Sequence, residues 1–377
     1  MHTLDDLVSK YSQIKASDLA GRYITNADIL PLLNNLSKAF STEIIGYSEQ
    51  NRPIYSVSVG KGATKIFIWS QMHGNESTCT KALFDVFNFL KLTSRNYILN
   101  HCTLLIIPIL NPDGAELYTR HNANNVDLNR DATQLSQKES KVLRKVFDAF
   151  KPDYGFNMHD QRTLFNVGQS DKPATVSFLA PAQDDKLSVT PNRLRAMSVI
   201  HQMNLELQQL IPGQIGRFDD AFNINCVGDY FQAQGVATIL FEAGHFSDDY
   251  NREETRKLIA LSILEALSVI SSGAVSENDL NFYLEIPEND TLFFDVLLKN
   301  VLISSDEQER TIDVGIAYEE ALINQKISFL PHIKSKGDLS SHFGHITLNL
   351  ENTALNNSQE AFRLLGSEFC TTFIKSC

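Results

Sequence analysis

A chain of 377 residues, 43% hydrophobic and 21% charged, can bury a sizeable core in one or two domains, which excludes a disordered polypeptide. Its formal net charge of -12 excludes nucleic acid and anionic membrane surfaces as main partners, since both require basic patches, and leaves a peptide or small molecule. The start, Met1-His2-Thr3-Leu4-Asp5-Asp6, has no signal-peptide pattern, no stretch reads as a membrane span, and the five cysteines are scattered, so a cytoplasmic chain with reduced thiols is expected.

Residues 42 to 48 and 53 to 60 read as a hairpin around the polar segment Ser48-Glu49-Gln50-Asn51-Arg52-Pro53. Strands are then predicted at 64 to 72, 102 to 109, 153 to 158, 175 to 180 and 236 to 241, and their near-continuous apolar character fits a sheet covered on both faces. Helices are predicted between them. Leu83, Val86, Phe87 and Leu90 give residues 77 to 92 a helical period, residues 192 to 210 follow the start signal Thr190-Pro191, and residues 252 to 270 form a largely apolar helix. The fold class is therefore α/β, with a mixed, mostly parallel sheet flanked by helices.

Ser271-Ser272-Gly273-Ala274-Val275-Ser276 is a small-residue stretch that divides the chain into a domain of residues 1–273 and a second of residues 274–377. Beyond it the period becomes two. Leu280, Phe282, Leu284 and Ile286, then Ile312, Val314, Ile316 and Tyr318, then Ile346, Leu348 and Leu350 predict strands, with one helix at 358 to 369. The second domain is expected to be small and β-rich, and it assembles no evident active site.

Chemistry gathers where the predicted strands end. His73-Gly74-Asn75-Glu76 follows the first parallel strand, and His159 closes another, which supplies the His, Glu and His donors of hydrolytic zinc sites while one position stays open for water. Other divalent ions suit the same donors. Asn111-Pro112-Asp113-Gly114, Arg120 and Val126-Asp127-Leu128-Asn129-Arg130 lie in loops beyond a strand end, where open α/β sheets collect ligands. Glu242 ends a buried strand, the position for a general base.

In this order the motifs resemble the zinc metallocarboxypeptidase family, typified by pancreatic carboxypeptidases and including murein-peptide amidases, over roughly residues 40 to 270. The resemblance implies an eight-stranded sheet and one Zn2+ ion held by His73, Glu76 and His159. It implies that Asn129 and Arg130 clamp a substrate carboxylate, that Arg120 polarises the scissile carbonyl, that Glu242 activates water, and that Asp127 holds the second ring nitrogen of His73. Physical chemistry agrees: a planar guanidinium such as Arg130 matches a carboxylate with two parallel hydrogen bonds, and a metal imidazole normally has an acidic partner.

Plainer readings stand beside these. Asp127 and Arg130 could form a loop salt bridge, Glu242 could be a paired structural acid, and His245, His342, His345 and Cys226 read as structural. The chain also departs from the family. Asp131-Ala132 replaces an aromatic after Asn-Arg, and the mobile-loop tyrosine has only Tyr230 or Tyr250 as substitutes. Asp219, Asp220 and Asp229 are the residues that would favour a cationic side chain. Three functions remain open: a metallocarboxypeptidase or murein-peptide amidase, an N-acyl amino acid amidoacylase of the aspartoacylase and succinylglutamate desuccinylase kind, and an inactive binding protein for peptide C-termini.

Overall fold

The computed structural model describes residues 4–92, 96–276, 279–304, 309–366 and 369. Its main sheet has eight strands: β1 (Phe40–Tyr47), β2 (Pro53–Gly60), β3 (Thr64–Ser70), β4 (Cys102–Ile107), β5 (Tyr154–Asp160), β7 (Val176–Leu179), β8 (Ile215–Arg217) and β9 (Ala237–Ala243). They lie in the order β1-β2-β4-β3-β5-β9-β7-β8, and β6 (Asn166–Val167) pairs separately with β10 (Asn289–Asp290). Strands β4, β3, β5 and β9 run parallel in the centre. The hairpin β1-β2 and the strand β7 join them antiparallel.

Alternation along β3 sends Ile66 and Ile68 to one face and Phe67 and Trp69 to the other, and both faces are covered. On the Ile66 face pack α1 (Leu4–Ile14), α3 (Thr78–Leu90), α7 (Pro191–Leu207) and α9 (Glu253–Ser272), with α2 (Asn26–Asn34) and α4 (Asn96–His101) at its margin. The Phe67 face is covered by α6 (Lys138–Phe150) and α8 (Val227–Ala233), whose Phe147 and Phe231 rings stack at 3.8 Å. A short α5 (Pro112–Leu117) follows β4. Asp85 and Arg256, both fully buried, tie α3 to α9 through bonds of 2.8 and 2.6 Å, and Asp85 also accepts from Tyr11 and from the backbone of Ala16.

The five strands and the three helices read from the sequence are present. One prediction fails: Leu280–Leu284 is a helix, α10, not a strand. Tyr283 and Ile286, three apart, are buried while Phe282 and Leu284 are exposed, so a short segment that alternates on paper satisfies a helical period in three dimensions. Ser271 and Ser272 belong to α9, which ends at Gly273 with φ of 71°.

Residues from Phe293 onward build a four-stranded sheet of β11 (Phe293–Ser304), β12 (Glu309–Ile323), β13 (Lys326–Gly337) and β14 (Phe343–Thr353), ordered β13-β12-β11-β14, with α11 (Gln359–Leu365) on its core. Cys370 and Cys377 and most of the C-terminal end of the predicted 358–369 helix lie outside the described residues. This sheet docks on the larger body with polar groups. Buried Asp295 accepts from Tyr250 Oη at 2.9 Å and Thr163 Oγ1 at 3.1 Å, His345 Nε2 donates to the Thr163 carbonyl at 2.7 Å, and Glu320 pairs with Arg22 at 3.1 Å.

Candidate metal centre

The loop after β3 is fixed from below before it reaches its ligands. Leu110 N donates to Ser70 O and Asn111 N to Gln71 O, both at 3.1 Å, prolonging the β3-β4 contact beyond the strand ends. The Asn111 side chain donates to Met72 O and accepts from Gly114 N, so it caps α5 and holds the loop with one amide. Gly74 and Gly114 then meet backbone to backbone: a Cβ on Gly74 would lie 1.9 Å from the carbonyl carbon of Gly114. That contact explains why the Asn-Pro-Asp-Gly turn and the His-Gly-Asn-Glu loop occur together.

Three donor side chains converge there. His73 Nδ1 lies 2.9 Å from Glu76 Oε1, His159 Nδ1 lies 2.9 Å from Glu76 Oε2, and the two imidazole nitrogens are 3.1 Å apart. Metal bonds of about 2.0–2.1 Å at tetrahedral angles place ligand atoms about 3.3 Å apart, close to these separations. His73 Nε2 donates to Asp127 Oδ1 at 3.0 Å, which leaves a lone pair on Nδ1 facing a carboxylate and a second imidazole nitrogen. Such a face is repulsive unless a cation or proton fills it, so the donor set fits a divalent metal ion.

The electrostatics agree. Burial opposes charge on Glu76 and on His73, yet their mutual attraction wins: the carboxyl is held well below its usual range and the His73 imidazole is raised, helped by Asp127. Burial lowers His159. Asp127 is held low against its burial by His73 and Arg120. Glu242, directly opposite His159 in the β5-β9 register, is 8% exposed and has no hydrogen bond or ion pair among the described residues. Burial first, then Glu76 and Asp160, push its carboxyl well above the usual range.

All the predicted site residues except Asp127 line one cleft of about 600 Å³. Asp127 stands behind them and joins them: it receives His73 Nε2, Arg120 Nε at 3.1 Å, Arg120 Nη2 at 3.0 Å and Asn129 N at 2.8 Å. The alternative Asp127–Arg130 salt bridge does not form, because Arg130 turns to the Asn129 carbonyl and Cys226 Sγ. Arg120 Nη1 also lies 3.3 Å from Glu76. Cys226 is a cleft-wall residue whose thiol burial pushes up to about 11. His245 is buried without a ring hydrogen bond, while His342 and His345 stack on Phe294 and Phe293, so the structural reading holds for all three.

The structure corrects the search for a tyrosine. Tyr250 donates to Asp295 and Tyr230 lies under the Arg144 guanidinium at 3.8 Å; among the described residues no tyrosine lines the cleft, whose wall carries Phe218 and Phe222 instead. Asp220 is consumed by Arg193 at 2.6 Å, whereas Asp219 and Asp229 do face the cleft. Of the lining residues that escaped sequence reasoning, three stand out for their polar groups. Asn157, one level below the His159–Glu242 row, has a buried side-chain oxygen without a partner among the described residues. Asp160 has one carboxylate oxygen on Thr78 and the other buried without a partner among the described residues. Arg162 is exposed, without an ion pair among the described residues. Their position next to His159 was the only signal.

The mixed α/β sheet thus bears a His, Glu and His cluster that could hold a metal ion at its strand ends. The family model described as zinc carboxypeptidase matches residues 29–175 of the chain. Probable carboxypeptidase 2 of Arthroderma benhamiae is 27% identical over 188 residues, 48% of this chain and 34% of that protein. Carboxypeptidase SOL1 of Arabidopsis thaliana is 30% identical over 130 residues, 30% of this chain and 26% of that protein. The chain thus spans about a third or less of these relatives. Among solved structures, a metallo-carboxypeptidase from Burkholderia cenocepacia has a TM-score of 0.52 at 18% identity, covering 67% of this chain and 69% of that one. Carboxypeptidase A from Helicoverpa armigera gives 0.54 at 15% identity, covering 72% and 82%; both likenesses concern the fold. Among the described residues, no helix is long and apolar enough to cross a membrane.

Proposed function

We propose that the protein hydrolyses a peptide or amide bond next to a free carboxylate, as a metallocarboxypeptidase or murein-peptide amidase with one Zn2+ at His73, Glu76 and His159. The observation that carries this reading is Glu242: a buried carboxylate without a partner among the described residues, set across from a proposed metal ligand, has a cost that a binding site alone would not require. A divalent cation in the site supplies Lewis acidity toward the scissile carbonyl and makes a nucleophile of water near neutral pH.

The chain's own groups do the rest. Glu242 takes a proton from the attacking water and returns it to the leaving amine. Arg120, anchored by Asp127, presents positive charge where the carbonyl oxygen becomes anionic, a contribution on the order of ~3 kcal/mol by comparison with one oxyanion-hole donor. Among the described residues Arg130 uses only Nη1 and keeps the remainder of its fork for a carboxylate, and Asn129, whose Oδ1 accepts from Val227 N at 2.9 Å, keeps its amide hydrogens for the same group. The released residue's side chain would descend toward Asn157, Leu179 and Leu240, between apolar walls and one unfilled polar atom.

The test incubates zinc-loaded protein, with Glu242→Gln as control, with free-acid peptides, their C-terminal amides, murein peptides and N-acyl amino acids, and follows product masses. Cleavage of free-acid or murein peptides with amides spared supports the proposal. Cleavage of N-acyl amino acids alone moves the protein to the amidoacylase reading, and no Glu242-dependent product moves it to a binding protein.

A further inference from the structure

We infer that Glu320, a carboxylate of the four-stranded sheet, is a positioning residue for the metal centre, holding from outside the two loops that carry His73, Glu76 and Arg120. The inference rests on the metal-site reading above and assigns that sheet a task.

Both Glu320 oxygens lie 3.1 Å from Arg22 Nη2, and Tyr118 Oη donates to the same carboxylate. The two ion-pair side chains are 4% and 9% exposed, so neither finds water as a substitute. Arg22 in turn holds the ligand loop by its backbone. Ser77, the residue after Glu76, donates to the Arg22 carbonyl at 2.6 Å, and Gln71 Nε2 donates to the Ile24 carbonyl at 2.8 Å and the Gly74 carbonyl at 2.9 Å. Gln71 carries a φ of 49°, a left-handed conformation that a residue without glycine's freedom keeps only when its surroundings fix it. The loop from Gln71 to Ser77 is therefore suspended from the carbonyls of residues 22 and 24.

Tyr118 makes the second attachment. It ends α5 with a φ of 54°, and two residues later Arg120 reaches Asp127 and Glu76. One carboxylate thus touches both halves of the site. Without it, Arg22 would be a buried cation with no carboxylate paired to it among the described residues and with buried Arg252 as a repulsive neighbour, and its displacement would pull its carbonyl from Ser77.

The experiment measures zinc affinity of the full chain by chelator competition, alongside thermal melting, for wild type, Glu320→Gln, Glu320→Asp, Tyr118→Phe and Tyr250→Phe. Ligand-orienting residues typically cost 10–100-fold in metal affinity. Glu320→Gln, one layer further out, is expected to weaken zinc by about 10-fold, with Glu320→Asp recovering part of that. Tyr250→Phe removes the Tyr250–Asp295 bond at the same docking contact and is expected to lower melting while leaving zinc affinity unchanged. Zinc affinity of Glu320→Gln equal to wild type overturns the inference, and so does an equal loss in Tyr250→Phe, which would mean that docking as such matters. Should Glu320→Gln not fold, Tyr118→Phe decides: an affinity lowered by roughly threefold, below that range, supports the inference and an unchanged one overturns it. A wild-type chain that binds no zinc fails the metal-site reading itself and removes the inference with it.

Discussion

Gly74 is the position where one methyl group would act on the metal centre without touching a ligand. A Cβ there would sit 1.9 Å from Gly114 C, 2.2 Å from Ala115 N and 2.3 Å from Gly114 O, against the 3.4 Å of ordinary contact, so the chains must separate by roughly 1.5 Å. The far side cannot retreat easily: Gly114 is itself hemmed in by Asn111 Nδ2 and His121 O at 2.4 and 2.6 Å from its own Cβ position, and α5 is pinned by the Asn111 cap. The ligand loop must therefore move. Metal bonds tolerate deviations of about 0.2 Å, so a shift several times larger takes His73 and Glu76 out of register with His159. Gly74→Ala is expected to lose at least about 100-fold in zinc affinity, about 2.7 kcal/mol, with about 1–3 kcal/mol of stability from overpacking. Chelator competition and urea denaturation read the two quantities. A Gly74→Ala protein that binds zinc within threefold of wild type would refute the packing argument, whatever its stability.

Other expectations follow from the same geometry. Arg130→Ala should raise KM for free-acid substrates and lower kcat/KM by about 10–100-fold, since charge-assisted bonds contribute about 1.5–3 kcal/mol; an effect equal for free acids and amides would count against the clamp. Asp85→Asn leaves the buried Arg256 guanidinium with Glu253, at 3.3 Å, as its remaining carboxylate partner among the described residues and should cost about 3 kcal/mol in denaturant unfolding, and a loss below about 1 kcal/mol would contradict that. Asp229 supplies a pH test. Burial pushes its carboxyl from 3.8 up to about 6, so the folded chain binds more protons than the unfolded chain across that window. Its contribution to stability therefore falls as pH rises from about 4 to about 6 and stays lowered above. Asp229→Asn should melt higher than wild type at pH 8 and lose that advantage below about pH 4; an offset independent of pH would sink the assignment.

What could be read from the sequence was what the chain writes locally. His73, Glu76, His159 and Glu242 were legible because each follows an apolar run, and a parallel sheet delivers all its strand ends to one edge. Asn157 was not, because a polar residue inside a short strand has no signature of its own until β9 and β7 place Leu240 and Leu179 beside it. The Leu280–Leu284 segment fits two periods over too few residues to choose, and packing against the main core chooses for it. Tyr250 looked available to a substrate only while the partner that occupies it, Asp295, lay 45 positions away and unconnected. Arg22 and Glu320 are separated by 298 positions, so no pattern along the chain announces their pairing.

The small sheet also has an outer border, and β13 forms it. A strand of 12 residues with one side unpaired among the described residues offers amide hydrogens and carbonyls to an extended peptide, including the same strand of another molecule. Lys326, Lys334 and Lys336 place positive charge along this border, and Pro331 removes one amide hydrogen from it. Two such borders brought side by side would repel each other and pair incompletely. Replacing those lysines with threonine or valine should therefore make the border of the hairpin that presents Glu320 a better template for self-association.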